Sequence, residues 1–153
     1  MELFRLSRGI YSDVLSGKGA ATKGARWNSP GVELVYTAGN RSLAMAEIAV
    51  HFTLATLPDD YLMLVISVPD NVSIKKLSES DLPEYWNTFP HSTSTQAIGD
   101  RFISDGQFYI LQAPSAVTWG DYNYLINPHH PESKKIKIIS SEKFPFDKRI
   151  FKL

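Results

Sequence analysis

The sequence predicts an α+β fold in a single domain, and three observations lead to this prediction. The chain has 153 residues, the length of one ordinary domain, and a chain of about 150 residues buries roughly 68–70% of its unfolded surface. Its 43% hydrophobic and 21% charged residues are a typical globular balance. Short β-rich runs outnumber helical segments, and most of them fall in the second half of the chain. We therefore expect one domain over residues 1–153, built around a mixed sheet.

The predicted strands are short runs of β-branched and aromatic residues bounded by turn-forming residues. They span residues 3–6, 32–37, 61–68, 108–112, 117–119, 122–126, 135–139 and 149–151. The most apolar run, 61–68, ends at Pro69-Asp70-Asn71, which predicts a buried strand. Its eight residues are far too few to span a bilayer.

Two segments have the length and composition of helices, namely 42–54 and 95–104. Gly106 is placed to cap the second helix at its C-terminus. Residues 81–86 suggest a helical turn. Residues 16–28 are rich in Gly, Ala, Lys and Ser, and this composition predicts a mobile loop.

The charge and cysteine content limit the classes of partner. The formal net charge is zero, although residues 133–153 hold seven basic and two acidic side chains. We interpret this basic end as a solvated surface, because the chain lacks the overall basic footprint of a nucleic-acid-binding protein. No cysteine is present, so neither a disulfide nor a thiolate metal site is expected. The first residues lack the apolar run of a signal peptide. A cytoplasmic protein without membrane association is expected.

The predicted helix 42–54 contains an unusual carboxylate. Glu47 and His51 alone interrupt its central apolar run, four residues apart on one helix face. We expect the helix to be mostly buried with one narrow polar strip, so that Glu47 would need a partner. That partner is either His51, in a pair or surface ion pair, or a ligand in a cleft. A metal site is not expected, because no third ligand has a suitable spacing.

Residues 24–31, Gly-Ala-Arg-Trp-Asn-Ser-Pro-Gly, form a second notable segment. Its small residues let the backbone approach a ligand closely, and the Arg26 guanidinium suits a phosphate or carboxylate. Trp27 can anchor the segment in the core. The alternative is a surface arginine beside a buried tryptophan. No phosphate-loop or dinucleotide-binding fingerprint is present.

Three further residues have both structural and functional interpretations. Tyr36, at a strand end, either packs in the core or offers a flat face to a planar ring, with its hydroxyl free to hydrogen-bond. Ser115 follows Pro114 without the sequence context of a nucleophile elbow, which favours a serine that caps the backbone. Asn127 begins a rigid turn, 127–131, whose two histidines are expected to be exposed.

Taken together, these segments resemble the RES domain, a family named for its arginine, glutamate and serine. The matching segments occur in order at 24–31, 35–38, 42–51, 95–100, 114–117 and 123–131. Each is weak alone, but the ordered set is specific and extends over nearly the whole chain. Ala25 departs from the pattern, since the family often has glycine there.

The resemblance implies a compact mixed α/β core similar to that of ADP-ribosyltransferases, around a cleft for NAD⁺. It further implies a toxin that depletes NAD⁺ and is neutralised by an Xre-type helix-turn-helix antitoxin. The family arginine, tyrosine, glutamate and serine fall on Arg26, Tyr36, Glu47 and Ser115. Asn127 matches a recurrent position, which places it among the NAD⁺-binding candidates without a specific role.

The roles implied by this resemblance fit the residue types. Glu47 would stabilise the cation that develops on the ribose when nicotinamide leaves. Arg26 would bind the pyrophosphate, Tyr36 would stack on nicotinamide, and Ser115 would bond to nicotinamide or ribose. NAD⁺ is then a substrate, and no cofactor is expected.

Several alternatives stay open at this point. Water, phosphate or a macromolecular side chain could accept the ADP-ribose, and the last of these would make the protein an ADP-ribosyltransferase. A non-catalytic partner-binding domain is a third hypothesis, and a homo-oligomer is left open. A ribonuclease is disfavoured by the zero net charge.

Overall fold

A single mixed sheet organises the chain in the computed structural model, which describes residues 1–151. Within that range there are seven strands and three α-helices. The strands are β1 (Glu2–Arg8), β2 (Val35–Ala38), β3 (Tyr61–Ser67), β4 (Ile74–Lys76), β5 (Ile110–Pro114), β6 (Tyr122–Ile126) and β7 (Lys137–Lys143). The helices are α1 (Lys18–Lys23), α2 (Arg41–Ala49) and α3 (Thr93–Asp105). The strand order is β4-β5-β6-β2-β1-β3-β7, in which only the β4–β5 pair is parallel, and this arrangement confirms the α+β prediction.

Both faces of the sheet are covered, because its central strands alternate apolar side chains to both sides. In β1, Leu3 packs on one face, whereas Phe4 and Leu6 pack on the other, beneath α2. On that second face, Trp27 packs with Phe102 of α3. Trp27 is 2% exposed, which confirms the anchoring role predicted for it.

The sheet opens between β1 and β2, and this opening positions the site. Only Phe4 and Ala38 pair across these two strands, whereas β1 pairs with β3 over seven residues. Where the strands diverge, the Arg5 Nη1 donates to the Tyr36 carbonyl oxygen at 3.1 Å. A half-buried side chain thus replaces the backbone bond that a continuous ladder would supply.

Helix α2 begins after Asn40, whose side chain accepts a hydrogen bond from the Leu43 N–H at 2.8 Å. The helix ends at Ala49 and is shorter than the predicted 42–54. Only Leu43 and Ala44 are buried within it. The prediction of a mostly buried helix is therefore wrong, because one side of α2 borders open cavities instead of core.

Other local predictions were also wrong. Residues 16–28 contain α1, which ends at Lys23 and is followed by Gly24 with a positive φ of 73°. Residues 117–119 form a turn and residues 148–150 a 3₁₀ turn, where strands were expected. The short strand β4 was missed, and four of the seven strands lie in the first half of the chain. Three-residue runs have too little periodicity to separate strands from turns.

Two surface predictions agree with the structure. Helix α3 ends at Gly106, which adopts the left-handed conformation expected of a C-terminal cap. The basic side chains between residues 134 and 149 are exposed, as predicted for a solvated end; residues 152 and 153 lie outside the described residues. No helix within residues 1–151 has the length and apolar character needed to cross a membrane.

Candidate active site

The Glu47 carboxylate is held in a fixed orientation by two hydrogen bonds from distant parts of the chain. Asn123 Nδ2 donates to Glu47 Oε1 at 2.7 Å, and Ser115 Oγ donates to the same oxygen at 3.0 Å. Glu47 lines two neighbouring cavities. Within residues 1–151 it forms no hydrogen bond or ion pair with His51, which is exposed. Of the two alternatives for Glu47, the structure therefore supports the carboxylate that faces a cleft.

Ser115 both caps a turn and orients Glu47. Its Oγ accepts hydrogen bonds from the Val117 and Thr118 N–H groups, each at 3.0 Å, while donating to Glu47. Ser115 is 6% exposed and lines neither cavity. The backbone-capping interpretation is confirmed, whereas the predicted contact with nicotinamide or ribose stays a prediction.

Asn123 is a site residue that the sequence analysis missed. It lies on β6, where it pairs with Ala38 of β2, and its side chain shares a sheet face with buried Leu125. The sequence did contain one indication of this role, namely a polar residue at a strand position whose side chain faces the interior. Its partner could not be deduced, because Asn123 and Glu47 are 76 residues apart.

The Tyr36 hydroxyl makes two hydrogen bonds within the chain. It donates to Asn28 Oδ1 at 2.6 Å and accepts from the Trp27 N–H at 3.1 Å. Burial raises the pKa of this hydroxyl far above its ordinary value, so the group stays protonated. Tyr36 lines both cavities. Its ring thus remains available for stacking, while its hydroxyl holds the segment 24–31 against the sheet.

The Arg26 side chain bridges that segment to the chain between β4 and α3. Its Nη1 donates to the carbonyl oxygens of Trp86 and Thr88, at 2.7 and 2.9 Å. Partial burial lowers the pKa of the guanidinium, and nearby Glu47 opposes that shift; the group stays charged. Arg26 lines the larger cavity, so it is not merely a surface arginine beside a buried tryptophan.

The two cavities meet at Glu47. The larger has a volume of about 690 Å³ and the smaller about 180 Å³. Four residues line both: Tyr36, Glu47, Ile48 and Asn123. Cofactor and small-molecule sites commonly occupy about 300–1,000 Å³. The larger cavity is therefore of the size that holds a dinucleotide, with a carboxylate and a guanidinium in its wall.

Asn127 lies away from this cleft, and its predicted contact with NAD⁺ stays a prediction. It is 2% exposed, and its Oδ1 accepts from the His129 N–H at 2.9 Å. It is four residues beyond Asn123, or about 13 Å at the rise of a β-strand, and lines neither cavity. His130, predicted to be exposed, is buried and stacked on Tyr109 with ring centroids 4.9 Å apart. These residues stabilise a turn at the opposite end of β6.

No group of three or more His, Asp or Glu side chains within residues 1–151 is arranged to hold a metal ion. The candidate site therefore consists of a carboxylate, a guanidinium and a phenol ring, together with the side chains that position them.

Comparison with known proteins identifies the family. The sequence matches the RES domain over residues 2–147. The chain belongs to the RES-domain family. RES-domain relatives include a Prs ADP-ribosylating toxin from Sphingobium sp. (strain YBL2), 34% identical over 95% of this chain and 92% of the relative. A Toxin Res from Pseudomonas putida is 37% identical over 99% of this chain and all of the relative.

A solved structure shares the RES fold. The M. tuberculosis MbcT–MbcA toxin–antitoxin complex contains a chain that superposes with a TM-score of 0.76, covering 94% of this RES chain and 83% of the other. The sequence identity is 20%, so this likeness concerns the fold. The family match and the relatives confirm the resemblance to the RES domain on which the sequence analysis relied.

Proposed function

We propose that this RES-domain enzyme is a toxin that degrades NAD⁺ by cleaving the bond between nicotinamide and ribose. The observation that supports this proposal best is the Glu47 carboxylate, oriented by Asn123 and Ser115 in the wall of a dinucleotide-sized cavity. Arg26 lies in the same wall and supplies the cation that a pyrophosphate would require.

The enzyme does not have to protonate the leaving group for this bond to break. The electron pair of the C1′–N bond moves to the ring nitrogen, so nicotinamide leaves as a neutral molecule and needs no proton. Positive charge develops on the ribose, as in other glycosidic cleavages. Glu47 stabilises that charge, and its fixed orientation means that little reorganisation is needed during the reaction. Water then bonds to C1′ and releases a proton, which yields ADP-ribose.

Arg26 and Tyr36 hold the substrate in this proposal. The Arg26 Nη1 is tied to two carbonyl oxygens, which leaves the remaining donors of the guanidinium for the phosphates. Such charge-assisted hydrogen bonds contribute roughly 1.5–3 kcal/mol each. The Tyr36 ring, at the junction of the two cavities, provides a flat wall for nicotinamide.

A second candidate function is ADP-ribosyl transfer to a specific target, which the name of the Sphingobium relative favours. The two functions share the cleavage step and differ in the acceptor: water or phosphate in one, a macromolecular side chain in the other. A non-catalytic partner-binding domain is the third hypothesis, and it predicts no turnover.

We further propose an antitoxin partner of the Xre helix-turn-helix type that blocks the cleft, with a segment that meets Arg26. The toxin–antitoxin complex that shares this fold supports a partner of the antitoxin class. Co-expression with such a partner should restore growth and NAD⁺ levels. The cytoplasm stays the predicted location.

The deciding experiment incubates purified protein with NAD⁺ labelled in its adenylate part, with and without added phosphate and cell extract. Free nicotinamide with labelled ADP-ribose, or its phosphate, supports NAD⁺ degradation, whereas labelled macromolecules support transfer. Glu47→Gln should abolish most of the turnover, while Glu142→Gln, the same change at an exposed position on β7, should not. A folded wild-type protein that releases no nicotinamide under any of these conditions would overturn the proposal.

A further inference from the structure

The chain between β4 and α3 contributes a group of side chains to the cleft that the proposed chemistry does not use. Asn87, Phe89 and His91 all line the larger cavity. We propose that these three side chains form a subsite for the adenine base, an inference that rests on the proposed function. The subsite would recognise an uncharged, planar heteroaromatic ring.

His91 provides the first argument. Its Nδ1 is the one buried side-chain nitrogen or oxygen within residues 1–151 that has no hydrogen-bond partner. Buried polar groups in native proteins are nearly always paired, so an unpaired one in a cavity wall calls for an explanation. The atom has almost no exposed surface, so a ligand in the cavity would supply the missing partner once the imidazole turns toward it.

The charge state of His91 suits a neutral ligand. Burial lowers the pKa of its imidazole, and the nearby Arg26 and His51 lower it further. The ring is then neutral at physiological pH, with one nitrogen donating and the other accepting. An imidazole of this kind can hydrogen-bond to a purine, which offers both ring-nitrogen acceptors and an exocyclic amine.

Phe89 and Asn87 supply the two other elements of base recognition. The Phe89 ring is 74% exposed and meets the His91 ring edge-on, with centroids 5.4 Å apart and planes at 86°. An exposed aromatic face at a cavity is a stacking platform for any base. The Asn87 amide can both donate and accept, and this pair of bonds matches the amine and a ring nitrogen of adenine.

Arg26 determines which end of the dinucleotide this subsite would hold. Arg26 is bonded to the backbone of Trp86 and Thr88, which flank Asn87, and it lines the same cavity as Glu47. Arg26 is thus near both Glu47 and His91, and we infer that the guanidinium lies between the carboxylate and the group of aromatic and amide side chains. NAD⁺ has the matching order of reacting ribose, pyrophosphate and adenosine.

The test separates the adenine half from the reacting half of the substrate. Asn87→Ala, Phe89→Ala and His91→Ala are compared with wild type in binding AMP by calorimetry, and in cleaving NAD⁺ and nicotinamide mononucleotide, which lacks the adenylate. We expect each variant to lose about tenfold or more in AMP affinity and in kcat/KM for NAD⁺, the loss of one good base contact. Cleavage of the mononucleotide should change less than twofold.

Glu84→Ala is the matched control, since Glu84 is exposed on the same stretch of chain and lines neither cavity. Unchanged AMP affinity in all three variants would overturn the subsite, as would an equal loss for both substrates, which would place these residues at the reacting end. If the wild-type protein binds AMP but cleaves neither substrate, the proposed function fails, and the AMP affinities of the variants still decide the subsite.

Discussion

Asn123 on β6 and Glu47 on α2 are joined by a hydrogen bond of 2.7 Å that fixes one carboxylate oxygen at the junction of two cavities. The two residues are 76 positions apart in the sequence, one on a helix and the other on a strand. The bond exists because β6 pairs with β2, which places Asn123 opposite Ala38, and α2 begins directly after that strand.

Asn123→Ala should lower kcat much more than it raises KM, because Asn123 positions Glu47 and does not bind the leaving group. A hydrogen bond to a charged group contributes about 1.5–3 kcal/mol, which corresponds to a fall of roughly 10- to 150-fold. Nicotinamide release measures the rate. Asn71→Ala, at an exposed position that lines neither cavity, is the control and should keep the wild-type rate. A raised KM with unchanged kcat in Asn123→Ala would contradict the positioning role.

Glu47→Gln should keep the shape of the side chain and remove its charge. If Glu47 stabilises the developing cation, the rate of nicotinamide release should fall by about 10²–10³, the effect of removing one electrostatic stabiliser. The melting temperature should stay close to that of wild type, and His51→Ala should alter neither quantity, since His51 is exposed and unbonded to Glu47. A Gln variant that is clearly less stable yet cleaves NAD⁺ at the normal rate would exclude the catalytic assignment.

Arg26→Lys keeps the positive charge but removes the planar guanidinium. In the wild-type protein, one nitrogen of that group donates to the carbonyl oxygens of Trp86 and Thr88. We expect the affinity for NAD⁺ to fall by roughly 10- to 100-fold, the loss of one charge-assisted bond, in a protein that still folds. Calorimetry with ADP-ribose, which carries the same pyrophosphate and lacks the bond that is cleaved, measures this loss at the phosphates. Arg101→Lys, an exposed arginine on α3, is the control. Equal affinities in the Arg26→Lys and wild-type proteins would remove Arg26 from the phosphate role.

Tyr36 should make the fold sensitive to alkaline pH. Burial raises the pKa of its hydroxyl in the folded state, whereas in the unfolded chain it titrates near pH 10. Because the folded state retains this proton more tightly, its contribution is complete below about pH 10. It is lost as pH rises further and the unfolded chain ionises.

Tyr36→Phe tests this account. The change leaves Asn28 Oδ1 without its 2.6 Å donor, which should cost about 1–3 kcal/mol at neutral pH. Urea unfolding from pH 7 to 11 measures both effects. The variant should be less stable at pH 7 and should lose less stability than wild type above pH 10. Parallel stability curves for the two proteins would show that Tyr36 does not cause the alkaline sensitivity.

Much of the local structure follows from short-range chemistry that the sequence contains. The end of α3 was predictable because Gly106 tolerates a left-handed backbone, and the burial of Trp27 followed from its apolar area. The turn at 117–119 was missed because the Ser115 hydroxyl accepts two backbone bonds there. These bonds outweigh the β-propensity of the residues involved.

By itself, the sequence determined the family, the α+β class and the need of Glu47 for a polar partner, because residue order, periodicity and isolated charges are properties of the chain alone. Only the tertiary structure decided that the partners are Asn123 and Ser115, 76 and 68 residues away. It also placed Arg26 on the carbonyl oxygens of Trp86 and Thr88 and put Asn127 outside the cleft. The physical reason is strand register: the pairing of β2 with β6 decides which side chains meet, and a shift of four residues along a strand moves a side chain by about 13 Å.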